Sequence, residues 1–286
     1  MTATPSTSRV SSGALSESAT VSNSTAHLKV TDDGAVRVLR LSNPDKRNAL
    51  TRDVLAALQA ALPTEHASTT QPIRCVVLTG DEAGGAFSSG YDITAIDDKE
   101  RERGLDPIGD AADSIEHCPT PVVAAIDGAM FGGAFELAMA CDVRFMSSSS
   151  SCGMPPARLG LVYAASGLQR FLRATSVSSC QSLFLRGKPI TADVAYTKGF
   201  VDECIRDGTA LQAALAFASD VAVNAPLAVS GMCEGLRRLA RARYGDDLDA
   251  AEAFIATARD ETVASDDIQE GVRAFHERRS PVFKGT

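Results

Sequence analysis

The sequence predicts an α/β fold with a helical C-terminal section. Apolar strand-like runs alternate with helical patterns from residue 27 to about 207, and the pattern from 208 to about 279 is helical almost throughout. There is no repeat at a fixed period, and no linker is long enough to separate a second domain. Strands that alternate with helices are typical of an α/β core, so we expect one domain over residues 27–286.

The chain enters this domain through a predicted hairpin. Two extended runs, residues 27–31 and Val36–Leu41, flank Asp-Asp-Gly at 32–34, which is a hairpin signal. Thr51 is the predicted N-cap of a helix whose apolar residues recur at helical spacing, and Pro63 lies beyond its end.

The order strand, small-residue loop and helix is then expected twice. A buried-type strand at 74–79 ends at Gly80, and a loop rich in Gly, Ala and Ser continues to Gly90. A second apolar strand at 121–126 leads to a helix that opens at Gly132-Gly133. Strand patterns follow at 142–146 and 201–205, with a polar loop at 147–151 and helical patterns near 165–173, 176–186, 191–199, after Thr209 and around Pro226.

Composition narrows the class of function. The 286 residues carry 28 Lys and Arg against 36 Asp and Glu, a net charge of −8, which argues against nucleic acid as the main partner. No apolar run approaches the roughly 20 residues that span a bilayer. The seven cysteines are odd in number and include no C-x-x-C pair, so we expect reduced thiols, a cytoplasmic location and no metal site.

The first 26 residues differ from the rest. Thirteen of them are Ser or Thr, and they contain neither the apolar core of a secretory signal nor the arginines of a transit peptide. Such a segment buries too little apolar surface to offset the entropy of ordering it. We expect a disordered tail over residues 1–26.

Two segments are suited to binding a negatively charged oxygen. Gly90 lets the backbone turn freely, so the amide of Tyr91 can point at a ligand, and Gly133 lies at a helix start whose amides lack partners. Two such amides on one oxygen form an oxyanion hole. Glu136 lies on nearly the same helix face as Gly133, where a carboxylate suits proton transfer next to a carbonyl. The alternatives are close helix packing for Gly132-Gly133 and a solvated carboxylate for Glu136. Its apolar neighbours favour a Glu136 that is at least partly buried, and a buried glutamate without a nearby cation is a candidate for a functional site.

These segments, with others, give the chain its resemblance to a known family. The sequence Asn-Pro-Asp-Lys-Arg-Asn-Ala-Leu at 43–50, the loop at 86–93, residues 121–142 and Ser-Pro-Val-Phe-Lys at 280–284 occur in the order and spacing of the crotonase, or enoyl-CoA hydratase/isomerase, superfamily. The resemblance covers residues 27–286. It implies a spiral of ββα units with a C-terminal helical section, assembled as a homotrimer or a dimer of trimers.

The resemblance also implies roles for individual residues. Tyr91 and Gly133 would supply the oxyanion-hole amides, and Glu136 would be the catalytic carboxylate. No cofactor would be bound permanently, because coenzyme A arrives as part of the acyl-CoA thioester. The implied contacts to substrate and coenzyme A are Arg47, Ala49, Ser89, Asp92, Ile93, Phe283 and Lys284, the last two at the adenine end of a coenzyme A bound to a neighbouring subunit. Ordinary surface charge is the alternative reading of the charged residues among them.

One position departs from the family pattern. Hydratases carry a second glutamate in a Gly-x-Pro-Glu motif, and the matching position here is Pro156, which cannot move protons. Thr94 also stands where many relatives have Lys. Tyr163 could contribute a hydroxyl nearby, and a packed loop tyrosine is the alternative.

The sequence therefore predicts an acyl-CoA enzyme of the enoyl-CoA hydratase/isomerase type. It would stabilise a thioester enolate with Glu136 as the single acid/base, so double-bond migration is favoured over hydration. Two alternatives stay open. One is a protein that binds acyl-CoA without turning it over, and the other is a thioester hydrolase or decarboxylase on the same scaffold.

Overall fold

The structure is a computed structural model. It describes residues 20–21, 27–65, 72–92, 105–206, 209–242 and 266–279, together with positions 256–257, 260, 263–264 and 281. Its strands are β1 (Thr20–Val21), β2 (Leu28–Asp33), β3 (Val36–Leu41), β4 (Cys75–Gly80), β5 (Ala86–Ser88), β6 (Val122–Ile126), β7 (Ala129–Phe131), β8 (Val143–Ser147), β9 (Ser151–Gly153), β10 (Ile190–Thr191) and β11 (Glu203–Ile205). Its helices are α1 (Arg52–Ala61), α2 (Pro107–Glu116), α3 (Gly133–Ala140), α4 (Ala165–Ala174), α5 (Val177–Arg186), α6 (Ala192–Thr197), α7 (Ala210–Ala222), α8 (Pro226–Ala242) and α9 (Asp266–His276).

The strands form two sheets. The larger has the order β1-β2-β3-β4-β6-β8-β11, antiparallel up to β3 and parallel from there on. The smaller has the order β10-β9-β7-β5, in which β5, β7 and β9 are parallel and β10 is antiparallel. Along the chain, β4, β6 and β8 each enter the larger sheet, the next strand enters the smaller sheet, and a helix follows. This threefold ββα repeat confirms the predicted spiral.

The larger sheet is buried on both faces. Val77 and Val123 lie on the face that α7 covers, whereas their neighbours Leu78 and Ala124 belong to the core on the opposite face. Successive side chains of a strand point to opposite faces, so continuously apolar strands indicate a sheet with two covered sides.

An aromatic cluster joins the helices that cover the face of the larger sheet opposite α7. Phe135 of α3 and Phe171 of α4 pack edge to face with ring centroids 5.0 Å apart, and Phe200 and Phe184 extend the cluster. These rings fix the position of α4 against α3, which carries the candidate catalytic glutamate.

Most predicted elements are present, and one helix and several short strands are additional. Within the described residues, the predicted strands and helices are found to within a few residues of their expected ends, whereas the helical pattern expected across residues 243–255 lies outside the described residues. Helix α2 and the three-residue strands β5, β7 and β9 are additional. A strand of three residues is too short to display an alternating pattern, and the loops that the sequence predicts contain β5 and the first residue of β9.

The expected disordered tail contains one described element. Thr20 and Val21 form β1 and pair with Asp32 and Thr31 of β2, whose outer edge offers unpaired backbone groups. The remaining residues up to position 26 lie outside the described residues, so the disorder of the tail stays a prediction.

No single helix within the described ranges is both long and apolar enough to cross a membrane. Helix α7 and Pro226–Arg238 of α8 reach that length and hydropathy only together, with an angle of 116° between them.

Candidate active site

A buried asparagine fixes the loop that precedes the site. Arg47 and Asn48 both adopt left-handed backbone angles, with φ of 54° and 57°. The side-chain amide of Asn48 is fully buried and donates to the carbonyl oxygens of Asp81 at 2.9 Å and Ala86 at 2.7 Å. The turn at 43–48 is thereby attached to both ends of the Gly-rich loop that follows β4.

Backbone hydrogen bonds then join this turn to the candidate oxyanion loop. The Ser89 amide donates to the Arg47 carbonyl at 3.0 Å, and the Leu50 amide donates to the Gly90 carbonyl at 2.8 Å. The Asp92 amide donates to the Leu50 carbonyl at 2.8 Å. Arg47, Ala49, Ser89 and Asp92, all expected at the coenzyme A site, therefore lie along one pair of adjacent segments. Ile93, Phe283 and Lys284, and also Thr94, lie outside the described residues.

The charged residues of this pair of segments differ in their surroundings. Arg47 is exposed, whereas the carboxylate of Asp92 forms an ion pair with Lys46 at 2.7 Å. Asp92 is thus partly neutralised, and Arg47 is positioned at the surface where an anionic group can approach it.

Two glycines bring the Tyr91 segment against the start of α3. Gly90 has φ of +96°, and a Cβ there would lie 2.6 Å from the Phe131 carbonyl oxygen. Gly132 has φ of +54° and is followed by Gly133, the first residue of α3. The first amides of a helix have no acceptor within it, so the Gly133 amide is available at the positive end of the helix dipole.

Glu136 lies in the first turn of α3 and is 1% exposed. The Tyr163 hydroxyl donates to its Oε2, and the Arg170 Nη1 donates to its Oε1 at 2.7 Å. Both carboxylate oxygens are therefore hydrogen-bonded, one to a phenol and one to a guanidinium.

This geometry corrects one expectation. Glu136 is buried as expected, but the expectation of no nearby cation is wrong, because Arg170 forms an ion pair with it. Arg170 was not among the predicted site residues. The signal in the sequence was an arginine on the same face of α4 as Gly167 and Phe171, which are also buried.

Gly167 of α4 makes room for the Tyr163 ring. A Cβ at this position would lie 2.5 Å from Tyr163 Cε1 and 3.0 Å from Glu136 Oε2. Only the absence of a side chain therefore allows the ring and the carboxylate to meet beside this helix.

Burial and charge act on the protonation of the site in opposite directions. Desolvation raises the pKa of Glu136, whereas the Tyr163 hydroxyl and the Arg170 charge lower it, and the net shift is upward. Burial first, and the Glu136 charge second, raise the pKa of Tyr163 well above its ordinary value. In the hydrogen bond between the two side chains, the Tyr163 hydroxyl is the donor and Glu136 Oε2 is the acceptor.

Pro156, at the position where the family resemblance leads us to expect the second carboxylate of hydratases, is buried. Pro156 begins a 3-10 turn, Pro156–Leu159, and its side chain carries no ionisable group. Gly271 of α9 packs on this turn, since a Cβ there would lie 2.5 Å from the Leu159 carbonyl oxygen. Within the described part of the chain, no group of three or more His, Cys, Asp or Glu side chains could hold a metal ion.

Comparison with known proteins decides the family. The sequence model of enoyl-CoA hydratase/isomerase matches residues 31–286, nearly all of the chain outside the expected tail. The chain belongs to the enoyl-CoA hydratase/isomerase family. Its larger and smaller sheets, joined by ββα units, are those of the crotonase fold.

Relatives of this family member include hydratases and a decarboxylase. It is 32% identical to a probable enoyl-CoA hydratase of Bacillus subtilis, over 88% of this chain and 96% of the relative. It is 31% identical to 2,3-dehydroadipyl-CoA hydratase of Escherichia coli, over 91% and 99%. The solved structure of methylmalonyl-CoA decarboxylase complexed with 2S-carboxypropyl-CoA superposes with a TM-score of 0.82 at 28% identity, covering 92% of this chain and all of that one.

Proposed function

We propose that this protein is an acyl-CoA enzyme in which the amides of Tyr91 and Gly133 stabilise a thioester enolate. The contact of Gly90 with Phe131 and the position of Gly133 at the start of α3 support it. Each donor of such an oxyanion hole contributes about 2.7–4 kcal/mol to the transition state.

The reaction best supported is decarboxylation of a 2-carboxyacyl-CoA thioester. One observation carries this choice: both oxygens of Glu136 are already bound, by Tyr163 and by Arg170. Each of these two donors stabilises the ionised carboxylate and so makes Glu136 a weaker base toward a carbon-bound proton. Decarboxylation needs no base, because breaking the C2–carboxylate bond releases CO2 and leaves its electron pair in the enolate.

The enolate then takes up one proton at C2 to give the acyl-CoA product. Tyr163 is the hydroxyl held next to Glu136, and its high pKa keeps it protonated at neutral pH. Tyr163 would turn its hydroxyl from Glu136 toward C2, give its proton there and regain one from solvent. The resemblance of the chain to a methylmalonyl-CoA decarboxylase is consistent with this reaction.

Double-bond migration with Glu136 as the single acid/base is the second candidate. Burial raises the pKa of Glu136 toward the operating pH, which suits a residue that both takes and gives a proton. Hydration is disfavoured, because water addition uses two carboxylates and the second position is Pro156.

Coenzyme A would lie along the paired segments 46–50 and 88–92. Exposed Arg47 would meet its anionic groups, with Ala49, Ser89, Asp92 and Ile93 beside it and Phe283 and Lys284 at the adenine end.

We also infer self-association into a trimer or a dimer of trimers. The exposed apolar side chains Leu227, Met232 and Leu236 of α8 support it, and sedimentation velocity tests it. The cytoplasmic location stays a prediction from the cysteine pattern.

A thioester panel separates the candidate reactions. Methylmalonyl-CoA, a 3-enoyl-CoA and a 2-enoyl-CoA are each incubated with the protein while CO2, isomerised thioester, hydrated thioester and free thiol are measured. We expect CO2 from methylmalonyl-CoA. Isomerised product that disappears in Glu136→Gln would support the second candidate instead, and free thiol would indicate a hydrolase. Tight binding of every thioester without any product would support the non-catalytic alternative.

A further inference from the structure

Arg170 binds carboxylates from two other helices at once. Its side chain is 2% exposed. Nη1 lies 2.7 Å from Glu136 Oε1 on α3, Nη2 pairs with Asp113, and Nε lies 3.2 Å from Glu116 Oε1, the latter two on α2. A guanidinium presents donors on three sides of one plane, which a lysine ammonium on its flexible stem cannot reproduce.

Besides burial, three side chains act on the ionisation of Glu136, and they are Tyr163, Arg170 and Asp106. Tyr163 donates a hydrogen bond from the segment before α4, and Arg170 supplies a positive charge from α4 itself. Asp106, the N-cap of α2, adds a negative charge that opposes ionisation of Glu136, as burial does. Arg170 is therefore the cation, within the described residues, that favours the ionised form of this buried carboxylate against burial and Asp106.

An ionised Glu136 determines what the Tyr163 hydroxyl does. A carboxylate accepts only, so the phenol must donate to it and is held in one orientation. A protonated Glu136 could itself donate, and the hydroxyl would then be free to rotate. The state of Glu136 thus controls the direction in which the hydroxyl beside the candidate oxyanion hole is aimed.

We propose that Arg170 is a positioning residue that holds Glu136 as an ionised acceptor and thereby orients the Tyr163 hydroxyl. Its significance for catalysis rests on the proposed function. The alternative is that Arg170 only ties α4 to α2. Arg173 provides a matched control, because it lies one turn further along α4 and pairs with Glu116 on the same helix α2.

The first test needs no turnover. Protonated and ionised carboxyl groups absorb at different infrared frequencies. The spectrum of each protein is compared with that of the same protein carrying Glu136→Gln, and the difference between the two is the signal of Glu136. We expect Arg170→Gln to raise the pH at which Glu136 is half protonated, since a nearby cation is removed. The proton concentration at this midpoint should fall about tenfold or more. Arg173→Gln should leave the midpoint where it is in the wild type. Equal midpoints in the three proteins, or an equal shift in both variants, would overturn the proposal.

The second test uses kinetics and a gentler substitution. Arg170→Lys keeps the positive charge, so it provides a second variant for the test in case Arg170→Gln does not fold. Its ammonium cannot reproduce the two guanidinium hydrogen bonds to Glu136 and Asp113, so we expect kcat to fall about tenfold or more with KM within twofold, whereas Arg173→Lys keeps the wild-type kcat. Wild-type kcat in Arg170→Lys would overturn the proposal. If the wild type turns over no thioester while Arg170→Gln still shifts the infrared midpoint, the proposed function is wrong, but the effect of Arg170 on the ionisation of Glu136 is confirmed.

Discussion

Gly167→Ala is the substitution that most directly tests the geometry of the site. The added Cβ would lie 2.5 Å from Tyr163 Cε1, and ordinary contacts begin near 3.4 Å, so the ring would have to retreat by about 0.9 Å. That displacement separates the hydroxyl from Glu136 Oε2. A misplacement of about 1 Å in a catalytic group lowers the rate about 100-fold, which is the loss of kcat that we expect.

The stability of the same variant should change much less. Alanine is favoured over glycine inside a helix by about 1 kcal/mol. Forcing a methyl group into a packed site costs about 1–3 kcal/mol. The free energy of unfolding should therefore fall by no more than about 2 kcal/mol, so that activity and stability respond differently.

The assay is a double-substitution cycle. The kcat of wild type, Gly167→Ala, Tyr163→Leu and the double variant is measured with the best thioester of the panel, alongside urea unfolding. In the Tyr163→Leu background the ring that clashes is gone, so Gly167→Ala should have little further effect. Wild-type kcat in Gly167→Ala, or an equal loss of activity in both backgrounds, would refute the argument that Gly167 acts through Tyr163.

Three further outcomes are expected from single features of the structure. Tyr163→Phe keeps the ring but removes the donor to Glu136, so activity should fall about 100-fold in a steady-state assay, and unchanged activity would exclude a role for the hydroxyl. Asn48→Ala leaves two buried carbonyl oxygens without their donor and should destabilise the protein by about 2 kcal/mol or more in urea unfolding, whereas a loss below half of that would show that other donors replace it. Native alkylation followed by mass spectrometry should label half-buried Cys204 and Cys233 first, because burial raises the pKa of the fully buried thiols to about 11 or above. Early labelling of a fully buried cysteine would contradict the packing of the core.

The predictable part of the fold is the part with long, regular patterns. Strands β4 and β6 are continuous apolar runs, and Thr51 marks the start of α1 with its side chain accepting from the Val54 amide. The sequence does not predict strands β7 and β9, because their pairing depends on the position of neighbouring ββα units. Their own residues do not encode it.

The candidate site likewise has a part that the sequence predicts and a part that it does not. Gly90 is required where its loop approaches the Phe131 carbonyl oxygen, and Gly132 has a φ of +54°, so a tight meeting of these two segments could be expected from residue type. The ion pair of Glu136 with Arg170 could not, because the two residues are 34 positions apart and meet only through the packing of α4 on α3. Long-range pairing of side chains leaves no periodic trace in the sequence.

The contact between α3 and α4 has an aromatic half and an ionic half. Phe135 and Phe171 stabilise it by packing, whereas Glu136 and Arg170 must give up water, which costs several kcal/mol per ion and is only partly offset by their attraction. Apolar side chains in the ionic half would fill the same space without that loss. Under the proposed function, the ionic half of this contact therefore lowers the stability of the protein in return for the chemistry of the site.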